Sequence, residues 1–343
     1  MGLNAFIMDP ISQGALGAIA AASVALPEKV RQATLVGWAA GMLADADIFI
    51  RSESDPLMNI EYHRHFSHSL LFIPVGGLIA ALVFWMLFRR RVAFRELFLY
   101  AVVGYATGGL LDACTSYGTR LLWPFSDMRV AWNIISIIDP VFTGTILVLI
   151  AVGVWRKSVK ASRVAWGFAL FYFAFGFVQN HRAMNVLEGL AENRGHETAS
   201  RFTAKPSIGS LVLWRGIYEY GDRIYVDAIR VSYVGGEAKV YPGTSVEKVE
   251  VAEERALIGD GSVLAYDIER FDHFSDGYLS RHPEDPLVLG DARYALMPDS
   301  VYPLWGIEVD ATRADEHAPF ISFRSADQRQ VDRLWLMMRG EEL

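Results

Sequence analysis

The chain has 343 residues, enough for two or three average domains, but its parts differ in charge: residues 1–200 carry 16 Lys+Arg against 14 Asp+Glu, and residues 201–343 carry 16 against 25. A hydrophobic content of 52% is concentrated in apolar blocks within the first 180 residues, which excludes a wholly soluble protein and reads as polytopic membrane protein. The single cysteine, Cys114, excludes an intramolecular disulfide and any multi-cysteine metal site, and the acidic tail without a basic, aromatic-interleaved patch argues against nucleic acid as a partner.

In chain order, the first ten residues lack a basic n-region and end in Asp9-Pro10, so no cleavable signal peptide is expected. Residues 11–26 and 33–50 are apolar, rich in Gly and Ala, and joined by the charged turn PEKVR; small residues let helices approach closely in lipid, so they predict a tight transmembrane or re-entrant hairpin. Residues 69–88 form the clearest span, followed by 97–114, 134–155 and the aromatic-rich 164–179. The basic loops at Lys29/Arg31, Arg89 to Arg95 and Arg156 to Arg163 belong on the cytoplasmic side by the positive-inside rule. Six spans with both termini outside then bring Asp9 to Gln13, Asp45, Asp47, the histidines at 63–68, Asp112 to Asp127 and Asp139 to the outer face.

After Asn180 the pattern changes. Residues 181–199 read as a helix, and residues 210–234 as two strands around the turn Tyr220-Gly221-Asp222. Further strand-like runs are 262–268 and 304–309. The expected architecture is an α-helical polytopic membrane domain of about six helices (1–180), a helical connector (181–200) and a smaller, mainly β extramembrane domain (201–343) on the outer side of the membrane.

The chemistry-bearing stretch is EYHRHFSHS (61–69), with three histidines in six residues beside Asp45, Asp47, Asp112 and Asp139. Imidazole and carboxylate together suit zinc, manganese or iron, and a bound ion lowers the pKa of a coordinated water to about 7. Two positions apart, Asp45 and Asp47 would point roughly 200° apart on a helix. If both face one site, the helix ends near Leu43 and residues 44–48 are extended. The five-residue spacing of His63 and His68 is off the helical i, i+4 pairing, which predicts a loop entering a helix capped by Ser67. Asp112 lies in an apolar segment, where an ionisable residue is costly and by default functional, although pairing with an arginine such as Arg120 is the structural alternative. Asp139 before Pro140 is either a functional carboxylate or an N-cap. Arg64, Arg120 and Arg129 can bind an anionic headgroup or pair with the aspartates. His273, His282 and His317 read as solvated, and His181 and His196 as spare ligands.

The motifs DPISQGALG (9–17), GMLADAD (41–47), HRHFSHSLLF (63–72), GYATGGLLDACTSYGTRLLWPFS (104–126) and IDPVFT (138–143) resemble the bacterial inner-membrane metal-dependent hydrolase family of the YdjM type, also described as LexA-binding hydrolases. The resemblance covers about residues 8–180. Through distant similarity to the zinc-dependent phospholipase C and P1 nuclease group, it implies a phospholipase C-like helical core, ligand roles for Asp45 or Asp47, His63, His68 and Asp112, and water attack on a lipid-like ester or phosphodiester. Two positions depart from the pattern: Gln13 and Gly108 stand where many members carry histidine.

The resulting expectation is a divalent-metal hydrolase, zinc first and Mg or Mn as alternatives. Its candidate ligands are Asp45, Asp47, His63, His68 and Asp112, and its candidate catalytic residues are Asp45, Asp47, His65 and Asp139. The competing reading is a degenerate homologue acting as an envelope scaffold or interaction protein. Transport ranks below both, because the charges gather at one face.

Overall fold

The computed structural model describes residues 10–325 and 327–343, so Asp9 lies outside the described residues. Two compact units are formed, one from residues 1–49 and 62–178 and the other from residues 50–61 and 179–343.

The first unit is helical: α1 (Pro10–Ser23) and α2 (Val30–Leu43) form a hairpin; beyond α3 (Met58–Tyr62), which straddles the boundary between the units, come α4 (Ile73–Phe88), α5 (Phe94–Cys114), α6 (Pro140–Arg156) and the first part of α7 (Val159–Asn193). Among the described residues, Leu70–Phe88, Phe94–Cys114 and Val159–Asn193 are long and apolar enough to cross a membrane, and Pro140–Arg156 is apolar but shorter. The hairpin helices have 14 residues each, about 21 Å at 1.5 Å per residue and therefore short of a bilayer core of about 30 Å. α1 is buried from Ser12 to Ala22, so its small residues form the interior of the unit.

The packing puts small side chains inside and large apolar ones outside. On α4, Gly76, Gly77, Ala80 and Ala81 are buried while Leu78, Ile79, Leu82, Val83, Met86 and Leu87 are exposed. In lipid the outward face needs no burial, and close backbone contact supplies the attraction between helices. Gly37 shows why glycine is required: a Cβ there would lie 2.3 Å from the Gly17 carbonyl oxygen, and one built on Gly104 would lie 2.8 Å from Gly37 Cα. α1, α2 and α5 therefore meet almost backbone to backbone. At one end of the unit Lys29 pairs with Glu96 at 2.5 Å, Arg31 Nε donates to the Val154 carbonyl and Arg163 Nε to the Ser23 carbonyl. The three basic turns assigned to one side by the positive-inside rule thus lie together.

Two expected boundaries shift. The span expected over 134–155 starts at Pro140, because Asp139 caps it: its Oδ1 accepts from the amides of Val141 and Phe142 at 3.1 and 3.0 Å. Residues 44–48, expected to be extended, lie in a 3₁₀ turn over Ala44–Phe49 after α2 ends at Leu43.

The second unit contains the end of α7 and two antiparallel sheets. The first has the order β1 (Ser200–Pro206), β2 (Leu213–Tyr220), β3 (Arg223–Arg230) and β4 (Lys239–Tyr241), with β5 (Ser245–Glu247) also pairing β3. After α8 (Val251–Ile258) and α9 (Val263–Ser275), β6 (Leu279–Arg281), β7 (Val288–Asp291), β8 (Trp305–Glu308) and β9 (Phe320–Ser322) form the second sheet, and α10 (Gln328–Arg339) closes the chain. β2 and β3 pair through Tyr220 and Arg223 across a turn in which Gly221 has φ +61°, as the sequence predicts. The run 262–268, expected to be a strand, opens α9: Ser262 Oγ caps the amide of Ala265, and Leu264, Ile268, Phe271 and Phe274 recur at helical spacing on the buried face. This 3.6-residue period outweighs the short apolar run. His282 is not solvated as expected but buried and stacked on Phe323 at 4.5 Å, whereas His317 is partly exposed, with Nδ1 2.9 Å from Asp267 Oδ2.

Candidate metal centre

Three local features of the first unit converge. The end of α2 unwinds into the 44–49 turn, which carries Asp45 and Asp47; the 63–68 turn carries His63, Ser67 and His68; and α5 carries Asp112 near its C-terminal end. α5 approaches the histidine turn so closely that a Cβ on Gly109 would lie 2.3 Å from the His68 carbonyl oxygen. That contact sets Asp112, three residues further on, beside the imidazole. Tyr105 on the same helix donates its hydroxyl to the Ser67 carbonyl at 2.6 Å.

His68 is the centre of the arrangement. Its Nε2 lies 2.8 Å from Asp112 Oδ2 and 3.1 Å from Asp45 Oδ1, and its Nδ1 lies 3.1 Å from both Asp47 Oδ2 and Ser67 Oγ. His63 Nδ1 lies 2.8 Å from Asp47 Oδ1. Burial opposes a charge on His68, yet the carboxylates of Asp112, Asp45 and Asp47 outweigh it and hold the imidazole well above its ordinary pKa. A positive charge at Nε2 is what this cage favours.

The donor set fits a divalent ion. One ligand atom each from Asp45, His68 and Asp112 lie within 4.8 Å of one another, as do those from Asp45, Asp47 and His63. Nitrogen and carboxylate oxygen are zinc's usual non-sulfur donors, and Mn is compatible with the same set. Asp45 Oδ2 is buried with no hydrogen-bond partner, an acceptor left over after the protein's own bonds are made. Asp45 is also the most open of the five, with its side chain 10% exposed against 1% or less for Asp47, His63, His68 and Asp112.

Several residues singled out in the sequence take other places. His65 packs with Tyr62 and Trp123, each ring centroid 5.5 Å away, rather than joining the carboxylates. Asp139 caps α6 and accepts the Tyr172 hydroxyl at 2.7 Å through Oδ2, which occupies both oxygens away from the cluster. Ser67 does not cap a helix but donates to Asp47 Oδ2 at 2.6 Å, while Ser69 caps the turn that leads into α4. The partner of Asp112 is Arg64 (Nη2 to Oδ1, 3.4 Å), not Arg120, which pairs with Asp127.

Thr115 and Tyr117, which carry no motif of their own, also join the site. Arg64 donates to Thr115 Oγ1 at 3.0 Å, and its guanidinium lies 4.9 Å from the Tyr117 ring, with that of Arg129 5.5 Å from the same ring. Arg64 itself is buried and sits at φ +59°, a conformation most side chains avoid. Gln13 Nε2 donates to Asp112 Oδ1 at 3.0 Å. The histidine-bearing motif could have suggested a special turn at Arg64, but nothing local in the sequence signals Thr115 or Tyr117.

No solved structure matches the chain. The inner membrane protein YbcI of Escherichia coli (strain K12) is 32% identical over 100 residues, which amounts to 28% of this chain and 57% of that protein. The chain thus spans little more than half the length of this curated relative. The model of the YdjM inner membrane protein family matches residues 8–183, which contain every residue of the carboxylate and histidine cluster, and on that match the chain belongs to the YdjM inner membrane protein family.

Proposed function

We propose that this protein is a membrane-bound, metal-dependent hydrolase acting on a phosphodiester or lipid-like ester, with its site on the periplasmic side. The observation that carries this reading is the placement of His68 Nε2 between Asp112 Oδ2 and Asp45 Oδ1 beside an unpartnered Asp45 oxygen. One proton on Nε2 cannot serve both carboxylates well, whereas a cation in that triangle engages all three donors.

In this reading Asp45, His68 and Asp112 hold the ion, with His63 alongside. A bound divalent ion supplies a water acidified to near-neutral pKa. Asp45 Oδ2, at the most open edge of the cluster, would take a proton from that water as its oxygen bonds the ester or phosphorus centre, and would return it to the departing alkoxide as the ester bond breaks. Gln13 and Arg64, both on Asp112 Oδ1, keep Oδ2 turned toward His68. The outer-face assignment is supported by the basic turns at Lys29/Arg31, Arg89 to Arg95 and Arg156 to Arg163. The ester class follows from the resemblance and from placement at a lipid surface.

The competing reading, a degenerate scaffold, is favoured by Gln13 and Gly108, two positions at which the resemblance leads to an expectation of histidine. Metal analysis of the purified full-length protein decides. Wild type and Asp139→Ala are expected to retain zinc or manganese, and His68→Ala to lose it. Negligible occupancy in wild type, or occupancy unaltered by His68→Ala, overturns the metal reading.

A further inference from the structure

We propose that Asp47 is a positioning residue that fixes the orientation of both histidines and is not itself a ligand. This rests on the metal reading above and goes beyond the ligand role expected of Asp47 from its place in the motif.

A carboxylate has two acceptor positions on each oxygen. Asp47 Oδ2 accepts the Ser67 hydroxyl at 2.6 Å and the Arg64 amide at 2.9 Å, and His68 Nδ1 approaches it at 3.1 Å. Asp47 Oδ1 takes His63 Nδ1 at 2.8 Å. The side chain is 1% exposed. Asp45 differs on every count, with Oδ1 facing His68 Nε2, Oδ2 unpartnered and the side chain more open.

The engaged nitrogens matter as much. On both rings it is Nδ1 that faces Asp47, which fixes the tautomer and turns Nε2 of His68 toward Asp45 and Asp112. Coordination by His63 would likewise use Nε2. A carboxylate bonded to the far nitrogen of a metal-ligating histidine orients the ring and raises its basicity, and losing such a partner costs about 10–100-fold in metal affinity. Here one carboxylate serves two rings, and the left-handed Arg64 backbone makes it possible by aiming an amide at the same oxygen.

The alternative is that Asp47 joins Asp45 and His63 as a ligand, since their donor atoms also lie within 4.8 Å. Co²⁺ binding to the detergent-solubilised full-length protein separates the two, read by competition with a chromophoric chelator and by the visible Co²⁺ spectrum. For Asp47→Asn the expected result is an unchanged stoichiometry and band shape with affinity weakened about 10–100-fold. Ser67→Ala, which removes one bond to Asp47, is expected to weaken affinity by a smaller factor with the same spectrum. Asp45→Asn and Asp112→Asn are expected to abolish the spectrum. Loss of binding in Asp47→Asn as complete as in Asp45→Asn, a changed band shape, or unaltered affinity overturns the assignment while leaving the metal reading standing. No Co²⁺ uptake by the wild type overturns both.

Discussion

Gln13 on α1 donates from Nε2 to Oδ1 of Asp112 on α5 at 3.0 Å, both side chains fully buried. Position 13 is thus occupied by a neutral donor that stabilises the carboxylate without competing for its other oxygen. Gln13→Ala leaves a buried carboxylate oxygen short of a partner, and the expected cost is about 1–3 kcal/mol. Thermal unfolding of the solubilised protein measures it. An unchanged midpoint would show that the bond contributes nothing.

Gly108 is occupied by packing rather than by lost chemistry. A Cβ there would lie 2.9 Å from the Gly41 carbonyl oxygen and 3.6 Å from Ala44 Cβ, so α2 and α5 leave no room for an imidazole. Gly108→His is therefore expected to lower stability and metal affinity together, and Gly108→Ala to cost about 1–3 kcal/mol through overpacking. A Gly108→His protein with wild-type thermal stability and tighter Co²⁺ binding would show that the helices separate readily and that a ligand position has been restored.

In the second unit, Lys205 of β1 is buried, with Nζ 4.9 Å from the Tyr294 ring centroid. Burial and then the neighbouring Arg293 push its pKa down from 10.5 to about 7. Between these values the unfolded chain binds a proton that the folded chain does not, so this group's penalty is full below about pH 7 and disappears as pH rises to 10.5. Stability of the sheet is expected to climb by about 1.4 kcal/mol per pH unit across that window. Lys205→Met is expected to be more stable than wild type at neutral pH and to lack this slope. Pulse proteolysis in urea, following peptides from β1 to β3, reads both effects; identical slopes in the two proteins would contradict the shifted lysine.

The first unit's apolar helices and the β2–β3 hairpin were legible in the sequence because each announces itself locally: hydropathy runs for the former, alternation around Gly221 for the latter. Helix ends were less so. Asp139 is a case in which the same dipeptide, Asp-Pro, supports a cap or a catalytic group, and only the Tyr172 hydroxyl and the two amides on its carboxylate decide for the cap. The misread run 262–268 has strand composition over seven residues, and its helical period emerges only when Phe271 and Phe274 are included.

The residue types of the candidate site are readable without any coordinates: three histidines in EYHRHFSHS and the aspartates at 45, 47 and 112, flanking apolar runs whose far ends carry the basic turns. Which of those residues meet was decided by tertiary structure. Asp45 and Asp47 are adjacent in pattern yet take different work, one presenting an unpartnered oxygen and the other bonded on both oxygens, because the 3₁₀ turn presents them to opposite nitrogens of His68. His65, indistinguishable from its neighbours by composition, is turned away among Tyr62 and Trp123 by the backbone of the same short turn. The physical reason is that ligand roles depend on lone-pair direction, which a one-dimensional spacing does not encode once the chain leaves regular helix or strand.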